Sequence, residues 1–478
     1  MRNFVTTSLI ATSCLMNVQA EEPKKKNVLF IIADDLTFTA LSCYENKYGS
    51  TPNIDKLASE GVKFTKTYCQ FPVCGPSRAS FMFGYYPHAT KMFGYNNGRK
   101  QVGDRPSWSE HFKNNGYEAT RVSKIYHMGV PIDIERGHDG PDDARSWSQK
   151  FNSQGPEWKA PGEGELVQNN PDGIKPIRGG NVMTIVKADG DDLVHSDGKT
   201  AQKASELLRE YKNSDKPFFL AVGFVRPHVP FVAPKDYFKT FSYKDILLPP
   251  VVNGDWDDIP KPGINYVTSK KAQMTQTQKK KAIAGYYASV SFMDAQVGKV
   301  LKTLKDEGLE DDTIVIFTSD HGFHLGEHDF WMKVSVHEES ARVPLIIKVP
   351  GKKPAVCNSL TELVDLYPTV SELCGLPKQD NLQGKSVAKM LDDPTHEVRD
   401  AAFTVSRHGG AFHFLLRTHK WAYIQYGEDA EMGMELYDME MDPQQFTSLA
   451  KSPHHQKVVE AFKQQLKEKL KKIRDNDL

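Results

Sequence analysis

The chain has 478 residues, with 61 Lys and Arg balanced by 61 Asp and Glu for a formal charge of zero. At roughly 100–200 residues per domain this is too long for one minimal domain, and the charge balance excludes the basic footprint of a nucleic-acid-binding protein. Charged residues at 26% and hydrophobic ones at 39% describe a folded globular chain. Beyond the first twenty residues, no apolar run approaches the length of a membrane span.

Residues 1–20 read as an export signal. Arg2 supplies a short positive region, residues 4–18 are largely apolar, and Val18-Gln19-Ala20 offers a small-residue cleavage site. Cys14, preceded by Ala11-Thr12-Ser13, admits a second reading as a lipid-anchored cysteine, although Ala11 stands where a larger aliphatic is usual. Export to a periplasmic or extracellular space puts the mature chain in an oxidising compartment with no transmembrane segment after cleavage. Cys43, Cys69, Cys74, Cys357 and Cys374 remain, an odd number that leaves at least one unpaired. No C-x-x-C pair occurs among them, which argues against a structural zinc site.

Residues 27–33 (NVLFIIA) form an unbroken apolar run ending in Asp34-Asp35, the pattern of a buried parallel strand. Helical patterns follow over 53–60 and 107–114. Residues 133–193, rich in Gly, Pro, Asp and Asn, read as an irregular insertion over the sheet. A helix over 198–211 leads to a second apolar strand at 217–224. A long helix over 276–307 leads to a third at 313–319 (TIVIFTS), which ends in Asp320-His321-Gly322, and residues 343–349 make a fourth strand of the same character. This alternation predicts an α/β fold with a mainly parallel central sheet flanked by helices, in which ligands bind beyond the carboxyl ends of the strands. After about residue 395 the pattern changes: 412–426 reads as paired antiparallel strands and 453–472 as a charged closing helix. The expected organisation is a signal over 1–20, a catalytic domain over 21–394 and a smaller α+β subdomain over 395–478.

The sharpest chemical signal is Cys74-Gly75-Pro76-Ser77-Arg78 within residues 71–84 (FPVCGPSRASFMFG). A disulfide between Cys74 and Cys69, or a plain buried thiol, is the structural alternative. The acidic residues that end two strands invite a cation, because the adjacent carboxylates of Asp34 and Asp35 repel one another without one, and hard oxygen donors suit Ca²⁺. Lysines and histidines of the kind at Lys124, His127, His228 and Lys333 are ordinarily solvated or packed, and only their motif context singles them out.

That context resembles the type I formylglycine-dependent sulfatases of the alkaline-phosphatase-like superfamily, and most nearly their iduronate-2-sulfatase branch. The pattern C-x-P-S-R is the one these enzymes carry where a cysteine is oxidised to formylglycine. Asp34-Asp35, Lys124-Ile125-Tyr126-His127, Arg226-Pro227-His228-Val229-Pro230-Phe231, Asp320-His321-Gly322, Gly326-Glu327-His328 and Trp331-Met332-Lys333 match the family in kind and order, over about residues 26–450. The resemblance implies Ca²⁺ held by Asp34, Asp35, Cys74 in its oxidised form, Asp320 and His321. It implies catalytic work by Cys74, Arg78, Lys124, His127, His228 and Lys333. The three cations would neutralise the sulfate, His127 would act as base and His228 would protonate the leaving alcohol. His321 replaces the Asn of most sulfatases but matches the iduronate branch. A hydrated aldehyde suits this chemistry because its second hydroxyl, once deprotonated, lets the enzyme release sulfate, which a serine ester does slowly. His324, His328 and His337 are candidate substrate contacts.

The expected activity is hydrolysis of O-sulfate esters on a sulfated carbohydrate, with a formylglycine-generating, sulfatase-maturating enzyme as partner. Two alternatives stand beside it: a phosphonate or phosphodiester hydrolase of the same superfamily, and a catalytically inactive binder of sulfated glycans. The last would need a missing motif residue, and none is missing.

Overall fold

The computed structural model describes residues 25–169, 182–476 and 478; residues 1–20, which read as an export signal, and Cys14 among them lie outside the described residues. Eight strands form the central sheet: β1 (Asn27–Asp34), β2 (Val62–Tyr68), β3 (Glu118–Ser123), β4 (Gln149–Phe151), β5 (Phe218–Pro227), β6 (Thr313–Ser319), β7 (Arg342–Lys348) and β8 (Ala355–Glu362). Their spatial order is β8-β2-β7-β6-β1-β5-β3-β4. Neighbours are parallel throughout except at β7, which runs antiparallel to both β2 and β6. The sequence pattern had suggested a parallel strand there. Residues 320–341 contain no crossover helix, only two single-turn helices, turns and a two-stranded ribbon, so the chain re-enters the sheet at the end where it left.

All eight residues of β1 are buried, because helices cover both faces of the sheet. Leu29 and Ile31 point to one side, where helices Ser196–Tyr211 and Gln276–Asp306 contribute Ala201, Leu208, Met293 and Val297. Val28, Phe30 and Ile32 point to the other, against Phe81, Trp108, Phe112 and Val370. The period of two in β1 thus meets two separate helical layers. Helix Gln276–Asp306 opens on a capping box between Thr275 and Gln278, and helix Trp108–Asn114 on one between Ser107 and Glu110; each cap contributes about 1 kcal/mol.

The segment 133–193 is less irregular than its composition suggested. It supplies edge strand β4, and its strand Thr184–Ala188 pairs on one side with Gly162–Leu166 and on the other with Phe231–Pro234 in a three-stranded sheet. The carboxyl-terminal region forms an antiparallel sheet of β9 (Ala402–His408), β10 (Ala411–Arg417), β11 (Trp421–Tyr426) and β12 (Met434–Asp438). Helix Gln456–Arg474 lays Val459, Phe462, Leu466 and Leu470 against it, with Phe462 stacked on Tyr423. Phe403, Val405, Phe414 and Leu416 join the core beneath the central sheet, so this sheet is fused to the main body. Among the described residues, no helix is long and apolar enough to cross a membrane.

Candidate active site

β1 and β6 lie side by side with Ala33 opposite Ser319, so the acids that follow each strand emerge together. The turn after β1 puts Asp35 at φ +61°, a conformation costing of order 1 kcal/mol for a non-glycine residue. Its backbone is held on both sides. The amide donates to Asp320 Oδ1 at 3.1 Å, and the carbonyl accepts the Tyr286 hydroxyl at 2.6 Å.

Cys74 opens helix Cys74–Phe83, directly beneath these strand ends. Pro76 falls in the first turn, where no intrahelical N–H is needed. Gly75 is required by packing: a Cβ there would lie 2.7 Å from the Gly94 carbonyl oxygen. Ser77 Oγ donates to the Asp320 carbonyl at 2.6 Å. Arg78 lies one turn after Cys74 on the same face and is fully buried. Its Nε donates to Asp320 Oδ2 at 2.9 Å and Nη2 to Asp34 Oδ1 at 3.1 Å, while Nη1 serves the carbonyls of Lys124 and Ile125. The guanidinium is therefore occupied in joining the ends of β1, β3 and β6.

The remaining candidate residues converge on Cys74. Its Sγ lies 3.3 Å from His321 Nε2, 3.3 Å from Lys333 Nζ and 3.6 Å from Asp35 Oδ1. Lys333 Nζ also donates to both Asp35 oxygens, at 2.7 and 2.9 Å, and approaches His228 Nε2 at 3.3 Å. Lys124 Nζ donates to Asp34 Oδ2. His228 Nδ1 is bonded to the Val229 carbonyl at 2.6 Å, so Nδ1 carries the proton and Nε2 faces the cluster, 3.7 Å from Asp35 Oδ2. His127 lies at the rim against the Tyr95 ring, with centroids 4.3 Å apart, and its buried Nδ1 makes no hydrogen bond.

Burial pushes the Asp34 and Asp35 carboxyls up, but the surrounding cations outweigh it. Lys124 and Arg78 hold Asp34 well below the usual carboxylate range, and Lys333 is the permanent cation that helps bring Asp35 to about 2. Burial, reinforced by Asp34, raises the Cys74 thiol well above its ordinary value. Burial also keeps both histidines neutral: His127 falls to about 2, helped by Lys124, and His228 to about 3 despite Asp35.

The donor set fits a hard divalent cation. Two overlapping groups, Asp34, Asp35, Cys74 and His228, and Asp35, Cys74, Asp320 and His321, each bring one ligand atom per residue within 4.8 Å of the others. His321 Nδ1 is bonded to the Gly322 carbonyl at 2.9 Å, which leaves the Nε2 lone pair directed at Asp35 and Cys74. All five described cysteines are free, so the Cys69–Cys74 disulfide is not present.

Three expected substrate contacts are displaced. His324, His328 and His337 are all buried; His328 bonds Asp255 at 3.1 Å, and His337 bonds Glu435 at 3.0 Å. They serve the packing behind the site because the 320–341 segment folds inward to start β7. Sequence reading missed Tyr286, Ser319, Tyr95 and Tyr266. Tyr286 and Ser319 act through their hydroxyls on the Asp35 turn, with Ser319 Oγ accepting the Leu36 amide at 2.9 Å, and no local motif marks them.

A family model described as Sulfatase matches residues 26–376, and one described as N-sulphoglucosamine sulphohydrolase, C-terminal, matches 326–473. The chain is 34% identical over 393 residues to iduronate 2-sulfatase of Mus musculus, covering 73% of this chain and 69% of that one. It is 30% identical over 494 residues to a sulfatase of Formosa agariphila, covering 95% and 90%. The solved phosphonate monoester hydrolase of Silicibacter pomeroyi shares the fold, with a TM-score of 0.77 at 20% identity over 94% of this chain and 96% of that one. Profile, relatives and fold agree with the mainly parallel α/β architecture, and the chain belongs to the sulfatase family of sulfuric ester hydrolases.

Proposed function

We propose that this protein hydrolyses O-sulfate esters of a sulfated carbohydrate, using formylglycine made from Cys74 by a maturating enzyme and Ca²⁺ held by Asp34, Asp35, Asp320 and His321 with the modified Cys74. The observation that carries this reading is the convergence of Cys74 with Asp35, His321 and Lys333 at the ends of β1 and β6. Asp34, Asp35, Asp320 and His321 would hold the ion next to the modified Cys74, whose hydrate would supply one hydroxyl as nucleophile and a second whose ionisation would favour sulfate release.

The chain's own residues supply the rest. Lys124 and Lys333 present ammonium groups toward the place where a sulfate monoester would lie, offsetting its charge. Arg78 acts by position, since its donors fix Asp34 and Asp320 relative to each other. His228 Nε2 faces the cluster. A docked sulfate adds negative charge there, which favours the imidazolium needed to protonate the leaving alcohol. His127, kept neutral by burial, has an unpartnered nitrogen able to accept a proton. We read residues 21–394 as the catalytic unit and 395–478 as a subdomain that shapes its mouth. The resemblance of residues 1–20 to a signal supports a periplasmic or secreted location.

The fold shared with a phosphonate monoester hydrolase supports a second reading, hydrolysis of phosphonates or phosphodiesters. The discriminating experiment compares kcat/KM for an aryl sulfate, an aryl phosphonate and an aryl phosphodiester in wild type and Cys74→Ala. The sulfatase reading expects the sulfate to be preferred and the variant to lose all three; preference for a phosphorus ester supports the alternative.

A further inference from the structure

Lys333 is carried on backbone that a chain does not adopt freely. Met332 before it and Val334 after it both have left-handed conformations, with φ of +69° and +82°. A β-branched side chain crowds its own backbone there, so Val334 is the more strained of the two. Such strain persists only where the surrounding structure holds it. Met332 is held by the short ribbon in which Trp331 and Met332 pair with Leu325 and His324. After Lys333, no helix or strand begins before Glu338, so Val334 depends on contacts from elsewhere in the chain.

Those contacts come from the segment before Cys74 and from the carboxyl-terminal sheet. The Val334 amide donates to the carbonyl of Pro72, which lies just ahead of Cys74, at 3.2 Å. The Val334 carbonyl accepts the hydroxyl of Ser406, a fully buried residue of β9. With amide and carbonyl both bonded, the peptide planes on either side of Val334 are fixed, and so are its φ and ψ. The Lys333 carbonyl receives only a long bond, from Asn265 Nδ2 at 3.4 Å. β9 grips the Cys74 side with the residues that precede Ser406. Thr404 Oγ1 donates to the Cys69 carbonyl at 2.6 Å, and the Val405 amide donates to the Gln70 carbonyl at 3.0 Å. Consecutive residues of one strand therefore tie the segment leading into Cys74 to the segment leaving Lys333. The Lys333 ammonium, 3.3 Å from Cys74 Sγ, spans the gap between these same two segments.

We propose that Ser406 is a positioning residue for Lys333: by holding Val334 in its strained conformation, it keeps the Lys333 ammonium against the residue 74 side chain. The carboxyl-terminal sheet then takes part in the reaction without touching substrate. The proposal rests on the sulfatase reading above, which gives Lys333 a sulfate charge to offset. Without the Ser406 bond, Val334 can relax toward the extended backbone that β-branched residues prefer, and the turn that aims Lys333 at Cys74 opens. A displaced ammonium group meets the charge that develops in the transition state less well, so the loss falls on kcat more than on KM. Strain and hydroxyl are linked in this arrangement. A residue that takes positive φ freely makes the Ser406 bond dispensable.

The test uses the matured, metal-loaded enzyme as wild type, Ser406→Ala, Val334→Gly, Val334→Ala and the double variant Ser406→Ala with Val334→Gly. Each is melted, then assayed on an aryl sulfate below its melting range. Ser406→Ala should lose about tenfold in kcat with little change in KM. The double variant should be faster than Ser406→Ala by about threefold or more, because Gly accepts the left-handed conformation without help. Val334→Gly should also melt higher than Val334→Ala, the order expected where φ is positive. The reverse melting order removes the strain and overturns the proposal. So does a kcat within about twofold of wild type in Ser406→Ala, or a loss that Val334→Gly does not relieve. A Ser406→Ala chain that fails to fold overturns it too, since the hydroxyl then serves the sheet rather than Lys333. Absence of aryl sulfate turnover in the wild type instead overturns the sulfatase reading itself, and the melting order still decides whether Val334 is strained.

Discussion

The Asp35 amide donates a hydrogen bond to Asp320 Oδ1 at 3.1 Å, although 285 positions separate the two residues. Adjacent strands bring them together, and Arg78 closes the arrangement by binding the other Asp320 oxygen and Asp34. Three segments distant in the chain thus build one acidic pocket whose geometry depends on a single buried guanidinium.

Replacing Arg78 with Ala is expected to destabilise the protein by about 3–5 kcal/mol, because two buried carboxylates lose their partner. Lys in its place keeps the charge but cannot reach Asp34, Asp320 and two carbonyls at once, so it recovers only part of the loss. Denaturant melts of the three proteins measure this. An unchanged midpoint in Arg78→Ala means that the guanidinium does not organise the pocket.

Removal of the divalent ion is expected to lower melting temperature and turnover together, since an ion bound only by the folded state adds its binding free energy to stability. Elemental analysis should find calcium in the active preparation, and Asp320→Asn should lose it. Strong chelation that changes neither melting nor turnover contradicts the assignment.

Much of this pocket was legible in the sequence. Apolar runs ending in Asp34-Asp35 and Asp320-His321 announced two strands with acidic ends, and the Cys74 motif supplied the third side. Position in space was not legible. His324, His328 and His337 look equally available in the sequence, yet the inward fold of 320–341 buries them all. The direction of β7 also depends on what lies before it, since an apolar strand reads the same either way. Tyr286 sits in a long helix whose periodicity marks it as core. Only the tertiary packing shows its hydroxyl on the Asp35 carbonyl.

His228 and His127 should separate by leaving group. Without the acid, as in His228→Gln, sugar sulfates with poorly leaving alcohols should lose turnover by about 10²–10⁴-fold, whereas activated aryl sulfates should lose much less. His127→Gln should slow both classes alike. The dependence of kcat on leaving-group pKa measures the difference, and identical slopes in the two variants contradict the division of roles.

Asp197 gives stability a pH signature away from the reacting groups. It accepts the amides of Val225 and Arg226 at 2.8 and 2.9 Å and so holds the chain leading to His228. Burial raises its carboxyl to about 6 from 3.8, and Arg226 with the two amides only partly offsets this. Between those values the folded state keeps a proton that the unfolded state has released. The contribution to stability is therefore full below about pH 4 and lost as pH rises through about 6, a change of order 3 kcal/mol. Asp197→Asn cannot titrate, so the difference between its urea midpoints at pH 4 and pH 7 should be smaller than in wild type. An equal difference shows that Asp197 does not titrate in this window.

The central claim is that Cys74 acts as formylglycine, and the mass of the Cys74 peptide from a fully active preparation tests it most directly. The account expects a peptide about 18 Da lighter than the encoded sequence, labelled by an aldehyde-reactive probe and inert to thiol reagents. An active preparation in which Cys74 is an alkylatable thiol, or is joined to Cys69, contradicts it.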